Sequence, residues 1–174
     1  MAALRLAAEH GLGQVTVEAI ADAAGVSRRT FSNYFASKEE ALFYGDLERL
    51  ARLIELVNAR PPGEPGWTAF STAVTAFVAE GMEMDPEWRD RRRLVRGHPS
   101  LAAYQMAVYA SMERKLAAEM SRRLPPGDDV ELRARVLAAQ GVGTVRAATE
   151  TWVENPELSL LDLVRRALAF GPPE

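Results

Sequence analysis

The chain has 174 residues, 48% hydrophobic and 26% charged, an ordinary globular composition that excludes a disordered or fibrous protein. With no cysteine and two histidines, His10 and His98, disulfides, thiolate metal sites and thiol catalysis are excluded within the chain. The net charge of -3 speaks against a general phosphate binder, so any contact with nucleic acid must be local. Met1-Ala2-Ala3-Leu4-Arg5 runs into Glu9 and His10 without an apolar leader core, and no apolar run is long enough to cross a bilayer. These features predict a cytoplasmic protein with no membrane partner.

Glycine and proline cut the chain into segments that each carry helical rather than strand periodicity, which predicts an all-α fold. A first helix covers about Ala2 to Glu9 and stops at Gly11, where His10 suits the last carbonyls. Thr16 caps a second, with Glu18 in its first turn and Gly25 at its end; Ser27 caps a third through Tyr34. Ser37-Lys38-Glu39-Glu40 has capping-box spacing and starts a long fourth helix. Along it Phe43, Leu47, Leu50, Ile54 and Val57 form one apolar stripe, and Pro61-Pro62-Gly63-Glu64-Pro65-Gly66 is the clear linker after it. Further helices are predicted at about Trp67–Met82, Pro86–Val95, Pro99–Leu124, Asp129–Val153 and Ser159–Phe170.

Residues 17–36 meet the requirements of a helix-turn-helix, two short helices crossing closely around a tight turn. Ala21 is small where the helices cross, Gly25 tolerates positive φ, and Ile20, Ala24, Val26, Phe31 and Tyr34 supply apolar contacts. The second of these helices would enter the major groove N-terminus first. Arg28 and Arg29 stand there, projecting outward for bidentate pairing with guanine, with Ser32 and Asn33 next. Thr16, Thr30, Tyr34 and Lys38 carry donors suited to phosphates, as do the first backbone amides of the fourth helix.

The stretch from Thr16 to Leu42, with Ala-Ala-Gly-Val-Ser at 23–27 and Arg-Arg-Thr-Phe-Ser-Asn-Tyr-Phe at 28–35, resembles the DNA-binding signature of the TetR (tetracycline-repressor-like) family over about residues 4–45. The resemblance implies a three-helix DNA-binding domain at 1–45 and a helical-bundle domain for ligand binding and dimerisation at 46–174. It implies base contacts from Arg28, Arg29 and Ser32 and phosphate contacts from Thr16, Thr30, Tyr34 and Lys38. The implied partners are a double-stranded DNA operator, a small-molecule effector and a second copy of the chain, with no cofactor and no metal. Ser32 stands where the family usually has an aromatic, and the sequence opens almost inside the first helix, before which the family usually carries a basic arm. Through Phe35, Arg5, Arg28 and Arg29 are balanced by Glu9, Glu18 and Asp22, which predicts weak DNA affinity.

An effector would lie in the bundle of helices four to seven, where Phe70, Val74, Phe77, Trp88, Leu101, Tyr104, Val108, Tyr109 and Met112 are either core or pocket. Arg89, Arg91, Arg92, Arg93 and Arg96 form the densest basic run, ordinarily a solvated face; Arg92 among them suits an apolar effector with an anionic group. His98 reads as a helix junction or a ligand contact. The last two helices are apolar on more than one face, placing Val136, Gly143, Ala147, Trp152, Leu161, Val164 and Leu168 in a two-fold interface, with Gly141 allowing close helix approach. A repressor released by its effector is one reading; a small-molecule-binding helical protein with weak or lost DNA binding is the other. No nucleophile-base pair, phosphate loop or metal cluster supports an enzyme.

Overall fold

The computed structural model describes residues 2–81, 86–97 and 99–172, and among them helices account for all regular structure. They are α1 (Ala2–His10), α2 (Val17–Ala23), α3 (Arg28–Tyr34), α4 (Lys38–Asn58), α5 (Gly66–Ala79), α6 (Pro86–Gly97), α7 (Pro99–Ser121), α8 (Val130–Glu154) and α9 (Leu160–Leu168), with a 3-10 turn at Leu12–Gln14. The protein is all-α, as its punctuation predicts. Helix ends differ by a few residues: α5 stops before Gly81, whose φ of +117° no continuing helix can adopt. His98 and Met82 lie outside the described residues.

The chain divides into two compact units, Met1–Glu48 with Pro86–Ala107, and Arg49–Asp85 with Val108–Glu174. In the first, α1 packs on α2 and α6 around Leu4, Ala7, Val15, Ile20, Phe31, Leu42, Phe43, Trp88, Val95 and Leu101. Phe43 of α4 stacks on Tyr104 of α7 with ring centroids 5.0 Å apart.

One polar contact crosses this core. Asp46 of α4 is 8% exposed and Arg91 of α6 is 4% exposed, and the Arg91 Nη2 donates to Asp46 Oδ1 at 3.0 Å. Arg92 Nη2 lies 3.8 Å from the same oxygen, with its guanidinium 5.1 Å from the Trp88 ring centroid. The arginine run is therefore not simply a solvated face. Its helix turns Arg91 inward because a buried carboxylate is there to receive it, and neither charge could be desolvated alone.

In the second unit α8 packs on α9, and both pack on α5. Phe70, Val74, Leu116, Met120, Trp152, Leu160 and Val164 are the heart of its core. The C-terminal end of α4 is closed by Arg123, which donates to the carbonyls of Val57 at 2.8 Å and Pro61 at 2.7 Å. Arg60 grips Glu64 through two bonds of 2.7 Å, and that hydrogen-bonded pairing holds the Glu64 carboxyl below the usual carboxylate range.

Three of the residues expected at a two-fold interface belong to this core instead. Trp152, Val164 and Leu168 are buried within the chain itself, because α8 and α9 turn their richest apolar faces towards each other and α5. Gly141 is likewise used internally: a Cβ there would come within 2.8 Å of the Phe70 ring, so the missing side chain admits α5 rather than a partner helix.

Replacing Asp46 with Ala would strand the Arg91 charge in the core. The expected loss is about 3–5 kcal/mol of unfolding free energy, measurable by urea denaturation.

Candidate nucleic-acid interface

The α2–α3 unit is built from short-range rules. Thr16 caps α2, its Oγ1 accepting from the Ala19 N–H at 3.1 Å; Ser27 caps α3, its Oγ accepting from the Thr30 N–H at 3.0 Å. Between them Gly25 takes a φ of +68°, and the Val26 N–H donates back to the Ala21 carbonyl at 2.9 Å. Ile20, Ala21 and Phe31 are buried and hold the two helices together. Ala24, Val26 and Tyr34, expected to share that role, are exposed, Tyr34 at 75%. Helices of two turns bury one row of side chains each, and Ile20 and Phe31 already fill it.

With Phe31 turned inward, the opposite side of α3 carries Arg29, Ser32 and Asn33, while Arg28, one turn before Phe31, stands beside them at the helix start; all four are exposed. The two arginines differ. Arg29 has no ion-pair partner among the described residues, whereas Arg28 Nη1 lies 2.8 Å from Glu18 Oε1 of α2, with side-chain exposures of 72% and 52%. Both guanidinium groups project outward as expected, but that of Arg28 is paired with a carboxylate. Such an exposed pair contributes only about 0–1 kcal/mol, so it can be remodelled by a stronger acceptor.

The residues expected to face phosphates also have structural duties. Thr16 accepts a capping bond but keeps its hydroxyl proton, and the Thr30 hydroxyl shares a 2.8 Å bond with Ser27. Lys38 is half-buried and donates from Nζ to the Val15 carbonyl at 3.0 Å, tying the start of α4 to the loop before α2. Ser37 accepts from the Glu40 N–H at 3.0 Å while the Glu40 carboxylate accepts from the N–H of Ala36, a capping box reaching one residue further than its usual form. A tilted contact of Phe31 with Phe35 (5.2 Å) and an edge contact of Phe35 with Tyr44 (5.5 Å) connect α3 with α4.

The matched profiles decide the family. Residues 1–43 match the profile of bacterial regulatory proteins of the tetR family, and residues 64–170 match an MftR C-terminal domain. The chain belongs to the TetR family. It is 31% identical over 95% of its length to a Mycobacterium tuberculosis protein named as a candidate mycofactocin biosynthesis transcriptional regulator, MftR, of which 83% is covered. It is 30% identical over 91% of its length to the HTH-type transcriptional regulator TcmR of Streptomyces glaucescens, 73% of which is covered. Its fold is similar to that of Thermus thermophilus FadR, a TetR-family repressor solved with lauroyl-CoA, at a TM-score of 0.59 and 24% identity over 97% of this chain and 88% of that one. A Rhodococcus transcriptional regulator aligns at a TM-score of 0.50 and 20% identity, covering 97% of this chain and 90% of that one. The protein is a TetR-family transcriptional regulator and not an enzyme. No helix among the described residues is long and apolar enough to cross a membrane.

The residues suggested for an effector pocket divide between the two units. Phe70, Val74 and Val108 are buried in the second unit and Trp88 and Leu101 in the first; these are core. Phe77, Tyr109 and Met112 of the second unit, and Arg92 and Tyr104 of the first, are half-buried. Burial and the carboxylates of Glu40 and Glu39 push the Tyr104 hydroxyl up from its ordinary pKa.

Two residues that matter here escaped the sequence reading as partners, Glu18 and Asp46. Neither stands at a helical spacing from its arginine, so no local pattern reveals the pairing.

Gly25→Ala adds a Cβ that meets nothing within 4 Å, so its penalty is purely conformational. Thermal denaturation should register a loss of about 1–2 kcal/mol.

Proposed function

We propose that this regulator is a cytoplasmic repressor that binds a palindromic operator as a homodimer and is released by a small-molecule effector. The observation that carries the reading is the exposed surface of α3, where Arg29, Ser32 and Asn33 lie opposite the anchoring Phe31 and Arg28 stands exposed at the helix start. Arg28 and Arg29 would contact base edges; Thr16, Thr30, Tyr34 and Lys38 would contact phosphates. The DNA-reading part is taken as residues 1–45 and the effector-binding and dimerising part as 46–174.

The dimer is supported by a stripe on α8. Leu132 (61% exposed), Val136, Gly143 and Ala147 follow one another along a single helix face, and an added Cβ at Gly143 would meet nothing. Half-buried Leu161 of α9 and Phe170, 89% exposed, offer further apolar surface. Gly143 and Ala147 share a groove of about 480 Å³ with Ala167 and Phe170, shaped to accept protruding side chains. Two copies joined here could present their α3 helices to successive major grooves, roughly 34 Å apart.

The effector is taken to be apolar with an anionic group, as the notably basic α6 suggests. Lauroyl-CoA, bound in the similarly folded FadR, is a suitable first probe. Such a ligand must prefer the DNA-incompetent conformation, since an indifferent one shifts nothing.

Selection from random duplexes followed by gel shifts over a salt series tests the reading. Wild type is expected to enrich a palindrome and lose affinity as salt rises. Arg29→Ala should weaken binding to the enriched site by about tenfold, within the range of a lost base contact. Val136→Glu should sediment as a monomer and fail to shift the palindrome. No enrichment by wild type would favour a ligand-binding protein that has lost DNA recognition.

A further inference from the structure

Arg28 and Arg29 are neighbours on one exposed helix, yet only Arg28 is met by a carboxylate, that of Glu18 from the preceding helix at 2.8 Å. An exposed ion pair of this kind does little for folding, and Glu18 neither caps α2, a role filled by Thr16, nor enters the core. Its place on the surface coincides with the residues that would meet the DNA.

A long arginine side chain free in solvent samples many rotamers and pairs readily with any phosphate. Held at one edge by a carboxylate, it loses part of that freedom, and the remaining N–H donors of its planar fork are biased towards one direction. A planar fork held in one direction suits the paired O6 and N7 acceptors of guanine. The same carboxylate repels phosphates, weakening contacts that carry no sequence information.

We propose that Glu18 is a positioning residue for base recognition, holding the Arg28 guanidinium towards a guanine in each half-site and keeping it from indiscriminate phosphate pairing. This rests on the reading that α3 enters the major groove.

The test uses the full chain and the palindrome selected by wild type, with every base of one half-site substituted in turn. Glu18→Gln is expected to lower the preference for guanine at one position by about threefold, to strengthen binding to unrelated duplex, and to lower the melting temperature by no more than about 3 °C, the share of a first-turn carboxylate. Glu18→Asp should retain part of the preference. In an Arg28→Ala background, Glu18→Gln should produce no further loss at that position. A wild-type base profile in Glu18→Gln, or an equal loss with and without Arg28, would overturn the proposal; the latter would make Glu18 a direct reader. If wild type itself enriches no sequence, the DNA-binding reading falls first and this inference with it.

Discussion

Two helices of seven residues each are too short to persist in water, so α2 and α3 hold their directions only through each other. Their crossing depends on a backbone turn at Gly25 and on Ala21 being small and buried beneath it. Once the turn is made, Phe31 must point inward, and helical geometry sends Arg29, Ser32 and Asn33 the other way, with Arg28 exposed at the helix start beside α2. The caps at Thr16 and Ser27 then satisfy backbone donors that such short helices would leave open. Exposure of these α3 side chains is thus a consequence of packing rather than of any preference of their own.

The same unit contains an interaction of a different character. The Asp46–Arg91 pair joins α4 to α6 inside an apolar core, where an apolar pair of similar volume could serve stability equally well. What the ion pair supplies is intolerance of alternatives: sliding α4 against α6 would leave two desolvated charges apart. Phe43 on Tyr104, and Phe35 on Tyr44, add contacts from α4 to α7 and to the end of α3. Movement of α4 therefore either carries these neighbours with it or breaks a costly contact, which is the discrete behaviour that the proposed effector control would require.

Fold class, helix order and the α2–α3 turn were legible in the sequence because each follows from local rules: Gly25 for positive φ, Ser27 and Ser37 for caps, apolar spacing for helix faces. The exposed face of α3 was legible for the same reason. What stayed hidden depends on contacts distant in sequence. Trp152, Val164 and Leu168 have the composition of an interface, but whether they face a partner or α5 is set by how three helices pack. Gly141 and Gly143 differ by two positions and point to opposite circumstances, one against Phe70 and one open. Arg91 and Arg92 read as surface charge until Asp46, far away in sequence, is placed beside them.

Charge provides the last step. The chain carries a net charge of -3, and its first three helices carry as many acidic groups, Glu9, Glu18 and Asp22, as basic ones, Arg5, Arg28 and Arg29. A surface so poor in positive charge gains little from phosphates, and binding to arbitrary duplex is correspondingly weak. For a regulator that must find one site among many, the ratio of specific to non-specific affinity matters more than either alone. In the proposed reading, acidic residues beside α3 would reduce the second term, while pairing of two half-sites through a dimer would multiply the first. A carboxylate at position 18 that looks unhelpful for DNA binding is, on this argument, a means of discrimination.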